Sequence, residues 1–280
     1  MIRTIKTKQF KIIAALLAVV LTVSCVMLNA TKAHALEITD AATSGYTVFG
    51  GGTVTDGKLT NTSIGVYVTG GSADKYNATN VKWTHNGTSW TADSSILFEG
   101  ADSIQKISAY YPYVEGSTGS VTVTASEQVD WLVATSQDLT SSNVNLNMTH
   151  ALTKLVLVPT FGTELTSQAI ASVEVGGMYA SGDLNIPDNS WSNLSSANAT
   201  LEMKNNELLV IPMDSCTSFD VVITMEDNRV FTTTVTCPNG KLEAGTQYNI
   251  SLQVGQDKVT IGSITASPWG YAAGGVLETE

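Results

Sequence analysis

Basic residues are scarce in this 280-residue chain. Lysine and arginine together number 14 against 25 aspartates and glutamates, and the formal net charge is −11. The only arginines are Arg3 and Arg229. Because an acidic surface repels other polyanions, the composition excludes nucleic acid as a partner and disfavours direct binding to anionic lipid.

Long apolar runs are also missing beyond the N-terminus. A membrane-spanning helix needs about 20 apolar residues, and only residues 12–28 approach that length. Four basic residues and no acid precede this run, and Ala33-His34-Ala35 has the small-x-small pattern of a cleavage site. Residues 1–35 are therefore predicted to be a signal peptide, whose removal leaves nine basic residues against 25 acidic ones, a net charge of −16.

Cys25 leaves a second route of processing open. Leu21-Thr-Val-Ser-Cys25 resembles a lipobox, which predicts lipidation of Cys25 and a lipid anchor as the protein's contact with the outer membrane. However, Val26, Met27 and Leu28 continue the apolar run past the cysteine, which suits a cleaved signal peptide better. The protein is predicted to be exported to the cell surface, with cleavage after Ala35 and lipidation at Cys25 as alternatives.

Reactive side chains are too few and too scattered for an active site. His85 and His150 are the only histidines after the predicted signal peptide, and neither has metal-ligand spacing around it. No nucleophile elbow, HExxH motif or phosphate-binding glycine loop is present. We therefore predict no catalytic residues, no metal site, no cofactor and no enzymatic activity.

His150 is predicted to have a structural role. It is in phase with Val144, Leu146, Met148 and Leu152, so it lies on the apolar face of a strand. A core or interface histidine fits that position better than a catalytic base does.

Two cysteines remain after the predicted signal peptide, Cys216 and Cys237. Two alternating runs lie between them, on either side of Glu226-Asp227-Asn228, which is the pattern of a β-hairpin. Turn-centred pairing places the two cysteines opposite or nearly opposite each other. In an exported chain this arrangement predicts a disulfide across residues 219–236, since neither a CxxC motif nor a nearby histidine indicates a metal or redox pair.

Short runs of β-branched residues that alternate with polar ones recur along the chain. Examples are SIGVYVT, SVTVTA, NVNLNM and FDVVITM, separated by turn sequences such as Asn86-Gly87. No segment after the signal peptide has a sustained helical period. The pattern predicts an all-β protein built of antiparallel β-sandwiches, with Leu155 to Val158 as a central strand buried on both faces.

Several ordered segments resemble the Mfa-like fimbrillins, the pilin-type surface proteins of Bacteroides-type bacteria. They are ISAYYPY ending at Tyr113, the DWLVAT segment from Asp130, His150-Ala-Leu, the strand from Gly245-Thr-Gln-Tyr, and Trp269. The resemblance covers about residues 60–270. It implies two tandem transthyretin-like β-sandwiches, with the best boundary in the polar stretch before Asn143.

The expected domains are thus 36–141 for the N-terminal sandwich and 142–280 for the C-terminal sandwich. The resemblance also implies a fimbrial structural or accessory subunit that assembles with itself or with other subunits by β-strand addition. The alternative is a stand-alone surface adhesin or glycan-binding module on the same fold, meeting host or bacterial surface ligands. Tyrosines 110, 111 and 113 and tryptophans 83, 90 and 131 could line a sugar-binding surface, although packing inside the fold is favoured for them.

The tail after Pro268 has a weak period of two. Trp269, Tyr271, Ala273 and Leu277 are in phase, as expected for a donor strand that presents alternate side chains to a neighbouring subunit. A terminal strand with Trp269 in its own core is the alternative. In the family a protease opens the acceptor groove, typically by cutting after an arginine; here no arginine lies between Arg3 and Arg229, and Lys58 is the nearest basic position for such a cut.

Overall fold

The computed structural model describes residues 34–43, 53–55, 58–163 and 170–269. Residues 1–33, which hold Cys25 and most of the predicted signal peptide, lie outside this range. The chain from Ala35 onward forms a unit of its own, and that unit is described here. Within the described ranges, no helix is long and apolar enough to cross a membrane.

The described residues are almost entirely β-strand and connecting turns. The first half contains β1 His34–Ala35, β2 Glu37–Thr43, β3 Thr53–Thr55, β4 Lys58–Thr60, β5 Ser63–Thr69, β6 Ala78–His85, β7 Trp90–Ala92, β8 Leu97–Phe98, β9 Lys106–Tyr111, β10 Ser120–Thr124, β11 Leu132–Asp138 and β12 Asn143–His150. The second half contains β13 Thr153–Phe161, β14 Ile170–Tyr179, β15 Ser181–Asn185, β16 Ser190–Ser192, β17 Ala197–Glu202, β18 Glu207–Val210, β19 Ser218–Met225, β20 Val230–Thr236, β21 Thr246–Val254 and β22 Val259–Pro268. Three single 3₁₀ turns lie at Asp74–Tyr76, Ala125–Glu127 and Pro238–Gly240. The predicted all-β fold class is confirmed.

A nine-stranded sheet forms the first half, in the order β3-β4-β2-β12-β11-β9-β5-β6-β7. Its neighbouring strands are antiparallel except for β2 and β12, which run parallel. The alternation in β12 is regular, because every second residue from Val144 to His150 is buried. The N-terminal core behind this sheet is formed by Leu36, Ile38, Leu59, Ile64, Val66, Val68, Trp83, Ile96, Ile107, Ala109, Tyr111, Leu132, Ala134, Leu139, Val144, Leu146 and Met148.

Two four-stranded sheets form the second half. Their orders are β18-β13-β21-β22 and β17-β14-β19-β20. Together they bury the C-terminal core, which includes Leu155, Leu157, Val173, Val175, Leu208, Phe219, Val221, Ile223, Tyr248, Ile250 and Leu252. This is the sandwich arrangement that alternating strands produce when each sheet has one apolar face.

The prediction that Leu155 to Val158 is buried on both faces is wrong at its end. β13 is central in its sheet, with β18 on one side and β21 on the other. Leu155 and Leu157 are fully buried, but Val158 is 43% exposed. Val158 points to the same face as the half-buried Val156, which is opposite to the face that Leu155 and Leu157 turn to the C-terminal core.

The two halves are joined by a small sheet and by a third core. In the sheet, β10 of the first half pairs with β15 of the second, and β16 follows. We call the third cluster the junction core; it consists of Tyr67, Tyr110, Val121, Val123, Trp131, Val133, Ala151, Leu152, Leu184, Ile186, Leu209, Ile211 and Trp269. Residues from both halves therefore share one packed interior.

The predicted boundary between residues 141 and 142 does not coincide with the change of sheet. β12 pairs with β11 and β2, and Val144, Leu146 and Met148 belong to the N-terminal core. The chain changes sheets after His150 and enters the C-terminal sheet at Thr153. The polar stretch before Asn143 includes the turn between two neighbouring strands of one sheet. The division into two tandem domains itself stays a prediction.

The predicted hairpin between the cysteines is present. β19 and β20 pair antiparallel from Ser218–Thr236 to Thr224–Val230, and the chain reverses at Asn228, whose φ is +66°. Just outside the strands, Cys216 and Cys237 form the predicted disulfide, with their Cα atoms 5.8 Å apart. Both cysteines are buried in the C-terminal core.

Candidate functional site

The segments that carry the family resemblance meet at the point where the chain changes sheets. His150 ends β12, Ala151 and Leu152 make the crossing, and Asp130 and Trp131 lie just before the adjacent β11. Gly245 stands before β21, and Trp269 follows β22 directly. Residues far apart in the sequence are thus brought together at one place, which we call the sheet junction.

A buried imidazole–carboxylate pair occupies the centre of the sheet junction. His150 is 1% exposed and Asp130 is fully buried. The Nδ1 atom of His150 lies 2.9 Å from the Oδ1 atom of Asp130. A buried carboxylate needs such a partner, because burying a charge without one is costly.

The indole of Trp269 covers the imidazole. The two ring centroids are 3.7 Å apart and the ring planes differ by 13°, so the rings are stacked. Trp269 is itself only 3% exposed. The Nε2 atom of His150 is buried and has no hydrogen-bond partner in the described part of the chain. A group so enclosed cannot exchange protons with a substrate, so the arrangement suits packing and alignment.

Backbone hydrogen bonds connect the same segments. The amide of Ala151 donates to the carbonyl of Trp131 (2.8 Å), that of Gly245 to Leu152 (2.9 Å), and that of Trp269 to Gly245 (2.7 Å). Gly245 has a φ of +64°, and a Cβ there would lie 3.4 Å from the carbonyl oxygen of His150. The left-handed backbone and the close approach together explain why a glycine is present at this position.

Two further buried polar residues make long-range contacts, and no role was predicted for either of them; the first, Gln128, joins the two halves. The side chain of Gln128 accepts from the amide of Leu209 (2.8 Å) and donates to its carbonyl (2.9 Å), as a neighbouring strand would. Lys154 is 7% exposed, and its Nζ atom lies 2.8 Å from Oε1 of Glu207 and 5.9 Å from the centre of the Trp269 ring. Their partners are distant in the sequence, so no local pattern could have indicated these contacts.

The tyrosines of the YYPY segment divide between two cores. Tyr110 belongs to the junction core and Tyr111 to the N-terminal core, as alternation along β9 requires. The hydroxyl of Tyr110 is within hydrogen-bond distance of Asn80 Oδ1 (2.8 Å) and the carbonyl of Val114 (2.9 Å). The pKa of Tyr110 is raised to about 12, and burial of its hydroxyl is the largest cause of this shift.

Two of the other four aromatic residues named above also pack inside the fold. Trp83 and Trp131 are 3% and 6% exposed, whereas Trp90 and Tyr113 are half-buried. Among the described residues, no group of three or more His, Cys, Asp or Glu side chains could hold a metal ion.

Trp269, the first residue of the predicted donor strand, packs inside its own chain, as in the alternative in which it is anchored in its own core. Its indole is buried in its own chain against His150, because the hydrogen bond to Gly245 brings it over the sheet junction. Tyr271, Ala273 and Leu277, the other residues of the predicted donor strand, lie outside the described residues.

Comparison with known proteins identifies the family. The family model described as fimbrillin-like matches residues 53–269. This range includes every segment that meets at the sheet junction. The chain therefore belongs to the fimbrillin-like family, as its motifs suggested. No curated protein matches the sequence.

Solved structures with the same fold come from Bacteroides and Porphyromonas species. A protein from Bacteroides uniformis, named for cell adhesion, is 21% identical, with a TM-score of 0.66 over 85% of this chain and 98% of its own. A second such protein, from Bacteroides ovatus, is 17% identical, with a TM-score of 0.66 over 86% of this chain and 99% of its own. The tip fimbrial protein Mfa3 from Porphyromonas gingivalis, truncated at its C-terminus, is 9% identical, with a TM-score of 0.54 over 84% of this chain and 99% of its own.

Proposed function

We propose that this protein is a fimbrial subunit of the bacterial surface, structural or accessory, that assembles by β-strand addition. Family membership over residues 53–269 is the observation that carries the proposal. The closed sheet junction adds support, since its buried polar groups serve packing and leave no accessible reactive centre. The proposed role is non-enzymatic and needs no cofactor.

The proposed donor strand is limited to residues 270–280, because Trp269 belongs to its own core. In this proposal Trp269 anchors the end of the folded unit, and Tyr271, Ala273 and Leu277 present alternate side chains to a neighbour. Eleven extended residues reach about 35 Å, which is enough to pair along a strand of ordinary length.

The proposed acceptor edge is on β12. β2 pairs with β12 from Asn143 to Met148, and β4, which begins at Lys58, lies on the other side of β2. A cut at Lys58 separates β2 from the rest of the chain and leaves that edge of β12 to be paired by an incoming strand. Because no arginine lies between Arg3 and Arg229, this proposal requires a protease that cuts after a different residue. In the alternative form of the proposal, the protein is an accessory or tip subunit that never accepts a strand.

Export and location complete the proposal. Residues 1–35 act as the signal that directs the chain through the inner membrane, with lipidation of Cys25 as the alternative route to the outer membrane. The partners are further copies of this chain or other fimbrial subunits.

Immunogold labelling of surface filaments tests the proposal directly. Antibodies against this chain should label filaments on the producing cells, and unheated samples in detergent should show a ladder of multimers. Filaments that form normally without this chain, together with a monomeric surface protein, would contradict it.

A surface adhesin is the second candidate function. Both of the more similar solved structures described above are proteins named for cell adhesion. In this case the protein acts as a monomer, and the immunogold and detergent experiments together distinguish the two functions, because the adhesin neither labels filaments nor forms a ladder.

A further inference from the structure

A cleft of about 660 Å³ lies between the start of β2 and the β6–β7 hairpin. None of its lining residues belongs to the sheet junction. Its walls include Glu37, Trp83, His85, Thr88, Ser89 and Trp90. The volume falls within the range of sites for small organic ligands.

The hairpin aligns three rings on one face. Trp83 and His85 are two residues apart on β6, so their side chains point to the same side. Trp90 pairs with His85 across the hairpin, and the two rings meet edge to face with centroids 5.1 Å apart. Trp90 packs against the N-terminal core but is only partly buried, so the cleft has an ordered aromatic surface that remains in part accessible.

The turn beside these rings is held by its own side chains. Nδ1 of His85 accepts the amide of Gly87 at 3.0 Å, and Oδ1 of Asn86 accepts the amides of Thr88 and Ser89 at 2.9 and 3.0 Å. Since Nδ1 of His85 is an acceptor, the neutral ring carries its proton on Nε2 and offers a donor. The hydroxyls of Thr88 and Ser89 add groups that both donate and accept.

The charge of the cleft selects against anions. None of the described residues that line it is a lysine or an arginine, and Glu37 contributes a carboxylate. Trp83 is 3% exposed, and its indole N–H has no partner in the described part of the chain. The cleft thus combines an aromatic face, hydroxyls and the N–H donor of His85 with a slightly negative charge.

We propose that this cleft binds a neutral saccharide. The negative face of an aromatic ring attracts the weakly positive C–H groups on the apolar face of a sugar ring, and Trp90 supplies that surface. The hydroxyls of the sugar find donors and acceptors at His85, Thr88 and Ser89. Phosphorylated, sulfated or sialylated ligands find no lysine or arginine side chain among the described residues of the cleft.

A polypeptide strand fits the cleft less well. β7 is only three residues long, from Trp90 to Ala92, and pairs with β6 on one side. A strand added to so short an edge gains few backbone hydrogen bonds, whereas strand addition derives its affinity from a row of them. The proposal concerns the chain that still carries β2, because a cut at Lys58 would remove the wall of the cleft formed by residues 35–38.

Glycan binding is measured first on an array of neutral and anionic glycans, and then by titration with the neutral sugar that binds best. Binding should quench or shift tryptophan fluorescence. Trp90→Ala should lower the affinity at least tenfold, and Trp191→Ala, which changes a half-buried tryptophan near the junction core, should leave it unchanged. Melting curves establish that each variant is folded.

A second variant keeps the proposal testable if Trp90→Ala fails to fold. Ser89 is exposed at the cleft, so Ser89→Arg inserts a long cationic side chain there without disturbing the core. It should also lower the affinity at least tenfold, while filament assembly stays normal in both variants.

Three results would overturn the proposal. The first is that no neutral glycan on the array binds, or that only anionic ones do. The second is that folded Ser89→Arg protein, or folded Trp90→Ala protein, keeps wild-type affinity. The third is that a synthetic peptide of residues 270–280 binds in the cleft and no saccharide does.

Discussion

At the scale of single residues, His150 shows how a titratable group can serve architecture. Its imidazole contacts the carboxylate of Asp130 on one side and the indole of Trp269 on a face. These residues come from the start of β11, the end of β12 and the end of β22. The imidazole therefore adds a side-chain contact among three segments that backbone hydrogen bonds already bring together.

Replacement of His150 by glutamine should lower stability and leave binding intact. The variant loses the ring stacking and weakens the contact with buried Asp130, which together are expected to cost about 2 kcal/mol or more. Thermal melting measures this. His150→Phe is the matched control, since it keeps an aromatic ring under Trp269 but removes the partner of Asp130. A His150→Gln protein with unchanged melting temperature that no longer binds its partner would contradict the structural role.

The raised pKa of Tyr110 predicts that the folded protein loses stability at high pH. Burial raises its pKa from 10.0 to about 12 in the folded protein, so the folded state favours the neutral phenol. The resulting stabilisation is present below pH 10 and is lost as the pH rises towards about 12. Denaturant unfolding across this interval should show a falling free energy of unfolding. Tyr110→Phe should show a shallower fall; an equal fall in both proteins would assign the effect to other groups.

Residue roles were the least predictable part of the sequence. The phase of His150 with Val144 and Leu146 correctly indicated a buried face, because alternation is a local property. Asp130 was visible in the DWLVAT segment, but its partner lies on another strand. Trp269 was assigned to a donor strand because it is in phase with the tail, whereas its position depends on the distant Gly245 and His150.

At the scale of elements, the β19–β20 hairpin was fully readable from the sequence. Its register follows from the turn at Asn228 and the alternation on both sides, so the position of both cysteines also follows. The predicted boundary assigned β12 to the second half, and the reason is the opposite one. Its parallel partner β2 is distant in the sequence, and a polar turn before Asn143 resembles a linker when only local composition is known.

The disulfide should contribute roughly 3 kcal/mol, as expected for a loop of this size. The double variant Cys216→Ala, Cys237→Ala should lose about that much in denaturant unfolding, and wild-type protein should lose a similar amount on reduction. Mass spectrometry of non-reduced peptides identifies the bridge. Two free thiols in protein isolated from the producing cells, or an unfolding curve that reduction does not change, would refute this prediction.

At the scale of the whole molecule, folding of the unit and polymerisation through the tail can be tested separately. Deletion of residues 270–280 removes Tyr271, Ala273 and Leu277 but leaves Trp269 in the sheet junction. The truncated protein should melt like the full chain and remain a soluble monomer that no longer enters polymers. Analytical ultracentrifugation and detergent-resistant ladders measure the two properties.

The contrasting variant is Trp269→Ala in the full-length chain. It removes the stacking on His150 and a large buried side chain, so it should lower the melting temperature. If the truncated chain still assembles like the full one, the tail is not the donor strand. If truncation prevents folding, the tail completes its own sandwich.

The long-range parallel pairings also constrain when the protein can fold. Lys154 pairs with Gln247, and Glu37 pairs with Asn143, so neither sheet closes until its distant partner strand has been synthesised. Contacts of such high sequence separation make folding slow. Trp269 can cover His150 only after nearly the whole chain has left the ribosome. An unfinished chain therefore lacks the last part of its interior, and in the proposed export this delay favours a translocation-competent state.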